Sequence, residues 1–282
     1  MVFYEIPAYN FLMDTSLDKP KREPISPRQS DIADVVRDSG RVSVEDLAEK
    51  FDVTPQTIRK DLNELCDRNI LQRVHGGAVL TTRVTNLGYE SRRFIASDEK
   101  RRIGLKAASF IPDSCSMLIN IGTTTEQVAQ ALLTRKNIVV ITNNINVVNI
   151  LAGNPEIEVI VAGGMVRQTD GGVVGETAGD FIRQFKVDYA IIGSSAIDLD
   201  GSLLDYDYRE VKVAQAIIEN ARHSILVADS MKYERSAPVR IGHISQIDTF
   251  VTDRMPPEEL RQVCAEHEVR IELAGPLDDS AE

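Results

Sequence analysis

Glycine, hydroxyl and amide side chains recur in this sequence directly after short apolar runs. The segment Gly122-Thr123-Thr124-Thr125 follows the apolar run 117–119 and opens a helical pattern. Glycine lets the backbone approach a ligand, threonine hydroxyls donate hydrogen bonds, and the free N–H groups of a helix start favour an anion. A phosphate group is the natural occupant, although the same residues could serve only as a helix cap.

Similar residues follow four further apolar runs, which suggests one shared binding rim. The carboxyl ends of parallel strands meet at one edge of a sheet, where ligands bind. Arg167 and Lys232 could supply positive charge to a phosphate, and Asp205, Asp207 and Glu210 could accept hydrogen bonds from sugar or polyol hydroxyls. The expected ligand, or effector, is therefore a phosphorylated sugar or polyol. The residues expected to bind it are Asn120, Gly122, Thr123, Thr124, Thr125, Asn143, Gly163, Gly164, Arg167, Glu176, Asp205, Glu210 and Lys232.

A second polar and basic group lies nearer the N-terminus. Thr54 is a natural helix N-cap, and Pro55 fits the first position of the helix that follows it. Another helix is expected earlier in the chain, beginning at Ser43. Two helices joined by a short turn predict a helix-turn-helix, and the strands 70–74 and 78–81 predict a wing after it. The residues expected to contact DNA are Thr54, Gln56, Thr57, Arg59, Lys60, Arg73, His75 and Gly76. The alternative is an amphipathic surface helix without a DNA-binding role.

Apolar runs alternate with helical patterns after residue 103, which predicts an α/β fold with a mostly parallel sheet. Strands are expected at 117–119, 138–141, 159–161, 190–192, 224–227, 250–251 and 269–271, and helices at 126–134, 145–152 and 211–221. The predicted organisation is a flexible extension at 1–25, a winged helix-turn-helix domain at 26–81, an arginine-rich linker at 82–102, an effector-sensing domain at 103–275 and a tail at 276–282.

Net charge, apolar run length and the numbers of cysteine and histidine exclude several classes of function. The formal net charge of -11 argues against charge-driven binding of nucleic acid by the whole molecule, so a DNA site must be a local basic patch. No apolar run is long enough for a membrane span and no signal peptide is evident, so a cytoplasmic protein is expected. The three cysteines and four histidines are scattered, and no catalytic motif is present. We therefore expect no metal, no cofactor and no enzymatic activity.

The ordered motifs resemble those of the DeoR family of bacterial repressors. The similarity is carried by 53–62 and 71–78 in the N-terminal part, and by 122–125, 140–144, 163–167, 171–176 and 229–232 beyond it. The resemblance implies a homodimer or homotetramer that binds operator DNA, and a sensor domain similar in fold to ribose-5-phosphate isomerase. Asn120 stands where many members have aspartate, which would change how ligand hydroxyls are held.

Two segments, 198–208 and 217–223, resemble the branch of the family that responds to sn-glycerol 3-phosphate. That resemblance implies a phosphorylated polyol as effector. A different sugar phosphate is the first alternative. The second is a sugar-phosphate isomerase, for which Asp205, Asp207 and Glu210 beside Lys212 could supply a base.

Overall fold

The computed structural model describes residues 25–39, 41–68, 70–74, 76–80 and 89–276. The predicted extension before residue 25 and the tail after 276 lie outside the described residues. The remaining elements form an N-terminal helical unit with a small sheet and a larger α/β unit.

The N-terminal unit contains three helices and three short strands in its described residues. They are α1 (Pro27–Ser39), β1 (Arg41–Ser43), α2 (Val44–Lys50), α3 (Pro55–Asp67), β2 (Leu71–Val74) and β3 (Gly77–Leu80). The strands form an antiparallel sheet in the order β1-β3-β2. The sequence predicted the hairpin β2–β3 but not β1, whose three residues are too short for a visible alternation.

Side-chain caps set the start of both helices of the helix-turn-helix. The Ser43 Oγ accepts a hydrogen bond from the Asp46 N–H at 3.0 Å, and the Thr54 Oγ1 accepts one from the Thr57 N–H at 3.2 Å. Each cap offers an acceptor to an N–H group of the first helical turn, which has no carbonyl partner four residues earlier. The predicted starts of α2 and α3 are therefore confirmed.

The larger unit is built on a seven-stranded sheet in which every neighbouring pair is parallel. Its strands, in spatial order, are β15 (Arg270–Leu273), β14 (Thr249–Thr252), β12 (Ala221–Val227), β9 (Val187–Ile192), β4 (Ser116–Ile119), β5 (Ile138–Thr142) and β6 (Ile157–Val161). The predicted parallel sheet is confirmed by this strand order.

Helices cover both faces of the sheet. They are α5 (Ser97–Ala108), α6 (Thr123–Ala131), α7 (Ile145–Leu151), α8 (Glu176–Ile182), α9 (Tyr208–Glu219) and α10 (Glu258–Glu266). Alternate strand residues point to opposite faces, so Met117 joins one hydrophobic core and its neighbour Leu118 joins the other. Burial on both faces explains why the strands are nearly continuous apolar runs.

Short antiparallel strands complete the larger unit, and the sequence did not predict them. The pair β7 (Met165–Arg167) and β8 (Gly172–Val174) forms a hairpin, and β10 (Ala196–Ile197), β11 (Ser202–Asp205) and β13 (Val239–His243) form a separate sheet. Part of the predicted linker 82–102 is also helical, since α4 (Tyr89–Phe94) and the first half of α5 lie within it.

Close packing of α5 on α6 depends on Gly104. A Cβ atom at this position would lie 2.6 Å from the backbone carbonyl carbon of Gln127. We expect Gly104→Ala to lower the free energy of unfolding by about 1–3 kcal/mol, because backbone cannot yield as a side chain does. Thermal denaturation will measure it, with Gly153→Ala as the control, since no atom would lie within 4 Å of that Cβ. Equal melting temperatures would contradict the packing argument.

Candidate functional site

Helix α3 presents a polar and basic face to solvent. Its apolar residues Ile58, Leu62 and Leu65 are fully buried, whereas Gln56, Arg59 and Lys60 are exposed. The Arg59 guanidinium lies 3.9 Å from the Glu45 carboxylate, and the Lys60 ammonium lies 4.0 Å from the Glu64 carboxylate. Exposed ion pairs of this length are weak, so both cations remain available to an anionic partner.

The turn of the wing is shaped by two glycines. Gly76 has a φ of +75°, in the left-handed region, and is exposed. Gly77 lies against β1, where a Cβ atom would come within 1.9 Å of the Val42 carbonyl oxygen. Arg73 is exposed on the same hairpin, and the predicted contact His75 lies outside the described residues.

In the larger unit, the predicted phosphate loop lines a narrow cavity at the carboxyl edge of the sheet. Its lining comprises Arg92, Ile121, Gly122, Thr123, Thr124, Thr125, Gly193, Ser194, Ser195, Asp205, Glu210 and Lys232. The Thr125 Oγ1 lies 2.8 Å from the backbone oxygens of both Asn120 and Gly122, which share its single proton, and so fixes the loop. The structure thus brings the start of α6 and Lys232 together, as the sequence predicted.

Lys232 is buried beside this cavity. Burial lowers the pKa of its ammonium to about 7, in opposition to the nearby charge of Asp229. Burial acts to raise the pKa of Asp229, but the charges of Lys232 and Lys100 outweigh it and the pKa is lowered. A second buried lysine, Lys100, has its pKa lowered to about 8 by burial. An anion in the cavity would stabilise the charged form of Lys232.

Ser194 is a residue that the predicted effector-binding set missed. Its Oγ is buried and has no hydrogen-bond partner among the described residues. A buried hydroxyl without a partner is costly, and a ligand in the cavity would supply one. The sequence signal was its place after strand β9, but adjacent small residues gave no reason to single it out.

A larger cavity of about 690 Å³ adjoins the narrow one and shares Arg92, Ser195, Asp205 and Glu210 with it. It is also lined by Tyr89, Arg167, Thr169, Asp170, Tyr206, Asp207, Tyr208 and Arg209. The Ser195 Oγ donates to the Asp205 carboxylate at 2.8 Å. Burial, reinforced by the charge of Asp205, raises the pKa of Glu210, and the hydrogen bond from the Arg167 guanidinium opposes this shift. This end of the site can accept hydrogen bonds from ligand hydroxyls.

Arg167 has a different environment from the one the sequence predicted. Its guanidinium donates to Asp170 at 2.7 and 2.8 Å, to Asp207 at 3.0 Å and to Glu210 at 2.5 Å. These carboxylates neutralise the cation that was expected to face a phosphate. Asp170 lies in the β7–β8 turn and Glu210 on α9, so the cluster forms only when distant segments meet.

Several predicted residues line neither cavity. The Glu176 side chain is 81% exposed and lies 3.9 Å from the Lys212 ammonium, on the outside of the unit. Asn143 is buried and its Nδ2 donates to the Val173 carbonyl at 3.1 Å. Gly163 and Gly164 follow the edge strand β6 and are exposed. Asn120 lies directly before the loop, and its Oδ1 has no partner among the described residues.

The comparison with known proteins agrees with this two-part organisation. The DeoR-like helix-turn-helix domain matches residues 28–84, and the DeoR C-terminal sensor domain matches residues 95–254. Within the described ranges, no helix has the length and apolar character needed to cross a bilayer. The same residues hold no group of three or more His, Cys, Asp or Glu side chains that could bind a metal ion.

Characterised relatives are transcription regulators. The chain is 46% identical over 246 residues to the glycerol-3-phosphate regulon repressor of Escherichia coli, covering 87% of this chain and 98% of the relative. It is 44% identical to the protein of that name from Haemophilus influenzae, over 81% of this chain and 89% of that relative. The HTH-type transcriptional repressor CsqR of Escherichia coli is 36% identical, with coverage of 90% and 97%.

Among solved structures, ribose 5-phosphate isomerase A from Neisseria gonorrhoeae is similar to part of this chain. The two share 16% identity over 48% of this chain and 52% of the isomerase, with a TM-score of 0.36. A similarity this low supports no functional conclusion, and the parallel sheet is established by its own strand order.

Proposed function

This chain belongs to the DeoR family of transcription regulators, and we propose that it represses glycerol 3-phosphate metabolism genes until a phosphorylated polyol binds. The proposed effector is sn-glycerol 3-phosphate. Relatives that span most of the chain carry the name of that regulon's repressor. The relatives regulate transcription, so the proposed role of the cavity is to sense its ligand rather than to convert it.

One observation carries the effector assignment: the site joins a cationic end to a carboxylate-rich end. Lys232 and the start of α6 suit a phosphate, because an ammonium and free N–H groups both stabilise an anion. The carboxylates Asp205 and Glu210 suit hydroxyl groups, which donate hydrogen bonds to them. A phosphate joined to a short polyol satisfies both ends at once.

The proposed DNA-binding surface is the exposed face of α3 together with the wing. We propose that a cytoplasmic homodimer or homotetramer places two copies of α3 in successive major grooves of a palindromic operator. Ligand shifts operator occupancy only if it binds the DNA-competent and DNA-incompetent arrangements with different affinity. A coupling free energy of about 1–3 kcal/mol would change operator affinity about 5- to 150-fold.

Fluorescence anisotropy on a duplex from a glycerol 3-phosphate regulon promoter tests the proposal. We expect the full chain to bind the duplex and to release it on addition of sn-glycerol 3-phosphate, but not on addition of glycerol. Release by ribose 5-phosphate or fructose 6-phosphate instead would favour a different sugar-phosphate effector, whose size the larger cavity could accommodate. Conversion of a pentose phosphate by the protein would support the isomerase alternative and contradict the proposed role.

A further inference from the structure

The short helix α4 follows the wing in sequence and lies against the effector site. Tyr89 and Arg92 both line the larger cavity, and Arg92 also lines the narrow one. The Tyr89 hydroxyl donates to the Glu126 carboxylate at 2.8 Å, in the first turn of α6. The chain between the two domains therefore forms part of the cavity wall.

The described residues leave part of the Arg92 guanidinium without a hydrogen-bond acceptor. Its Nη2 donates to the Asp170 carboxylate at 3.2 Å, but its Nε is buried and has no partner among the described residues. The side chain is 20% exposed. A buried N–H without an acceptor is costly, and an anion in the cavity would supply the missing acceptor. Arg167, by contrast, is already surrounded by carboxylates.

The backbone around Arg92 is tied to both domains. The buried Lys100 ammonium donates to the Arg92 carbonyl and, at 2.5 Å, to the Ile95 carbonyl. Ile95 is buried in the hydrophobic cluster formed by α1, α2 and α3, which includes Ile32 and Leu62. A movement of Arg92 toward a ligand would therefore act on a segment that packs against the DNA-binding domain.

We propose that α4 completes the effector site and that Arg92 binds the phosphate of the ligand, so that effector binding acts directly on the segment that carries the DNA-binding domain. This inference rests on the proposed function, because it assigns a further residue of the same site. The ligand group it recognises is a phosphate monoester, held from one side by Lys232 and from the other by Arg92.

Isothermal titration of the full chain with sn-glycerol 3-phosphate tests the assignment. We expect Arg92→Ala to weaken binding about 10- to 100-fold, the usual effect of losing a charge-assisted hydrogen bond. Arg93→Ala is the matched control, since Arg93 is the next residue on α4 but is exposed and lines neither cavity. Its affinity should stay within about twofold of wild type, as for most surface substitutions.

Arg92→Lys keeps the positive charge and provides a second variant in case Arg92→Ala fails to fold. Fluorescence anisotropy on the promoter duplex provides the second measurement. We expect Arg92→Lys to bind ligand between wild type and Arg92→Ala, and both Arg92 variants to need more ligand for DNA release. Folded Arg92 variants that keep wild-type affinity would overturn the assignment and leave the proposed function intact. A wild-type protein that does not bind sn-glycerol 3-phosphate would overturn the proposed function, and this inference with it.

Discussion

The double variant Arg59→Ala/Lys60→Ala is expected to bind operator DNA about 100-fold more weakly than wild type, because each lost base or phosphate contact costs roughly 1–3 kcal/mol. Both side chains are exposed on α3, and the carboxylates that pair with them within the described residues lie 3.9 and 4.0 Å away. Anisotropy with operator DNA at several salt concentrations will measure the loss. The slope of log affinity against log salt concentration should also become shallower, by the amount that about two phosphate contacts contribute.

Glu45→Ala is the matched control for this surface. Glu45 is the exposed partner of Arg59, so its loss removes the same ion pair but leaves the cation in place. We expect operator affinity to be unchanged or slightly higher, since a negative charge near the DNA backbone disappears. If the double variant keeps wild-type affinity and salt dependence, α3 is not the recognition helix.

Lys232→Met is expected to abolish release of operator DNA by sn-glycerol 3-phosphate while leaving operator affinity unchanged. The ammonium is the buried cation at the narrow cavity, and losing a charged partner of a phosphate weakens binding by about 10- to 100-fold or more. Ligand titration by calorimetry and anisotropy will measure both effects. A normal response to the ligand would remove Lys232 from the site.

The pH dependence of ligand binding distinguishes the charge of Lys232 from its packing. The pKa of Lys232 is about 7 without ligand, and a bound phosphate raises it, so binding takes up a proton above that pH. Affinity should therefore fall as pH rises from 7 to 9, by up to about tenfold per pH unit. Lys100, with a pKa near 8, titrates in the same range, and the pKa of Glu210 is also raised. The difference between the pH profiles of wild type and Lys232→Met therefore measures the contribution of the Lys232 charge.

Ser194→Ala provides a companion variant that should not disturb the fold. The Ser194 Oγ has no hydrogen-bond partner among the described residues, so its removal breaks no internal hydrogen bond. The melting temperature should be unchanged. Ligand affinity should fall about fivefold, the equivalent of one neutral hydrogen bond. Wild-type affinity in this variant would mean that the ligand does not occupy the narrow cavity.

Much of the fold could be predicted from local signals. The caps at Ser43 and Thr54, the buried face of α3 and the apolar runs of the parallel strands all depend on residues that are close in sequence. The start of α6 was also recognisable, since glycine followed by hydroxyl residues favours a helix N-terminus. Short antiparallel strands such as β1 and β10 escaped prediction because two or three residues show no periodicity.

The sequence by itself determined that one part of this protein is a winged helix-turn-helix and that the other is a parallel α/β domain with a glycine-threonine loop at a helix start. Only the tertiary structure decided which charged side chains line the cavities. Arg167 meets Asp207 and Glu210 across about forty residues, Glu176 lies on the outside, and Arg92 enters the cavity from the predicted linker. Electrostatic environment depends on burial and on neighbours distant in the chain, and neither is encoded in the spacing of nearby residues.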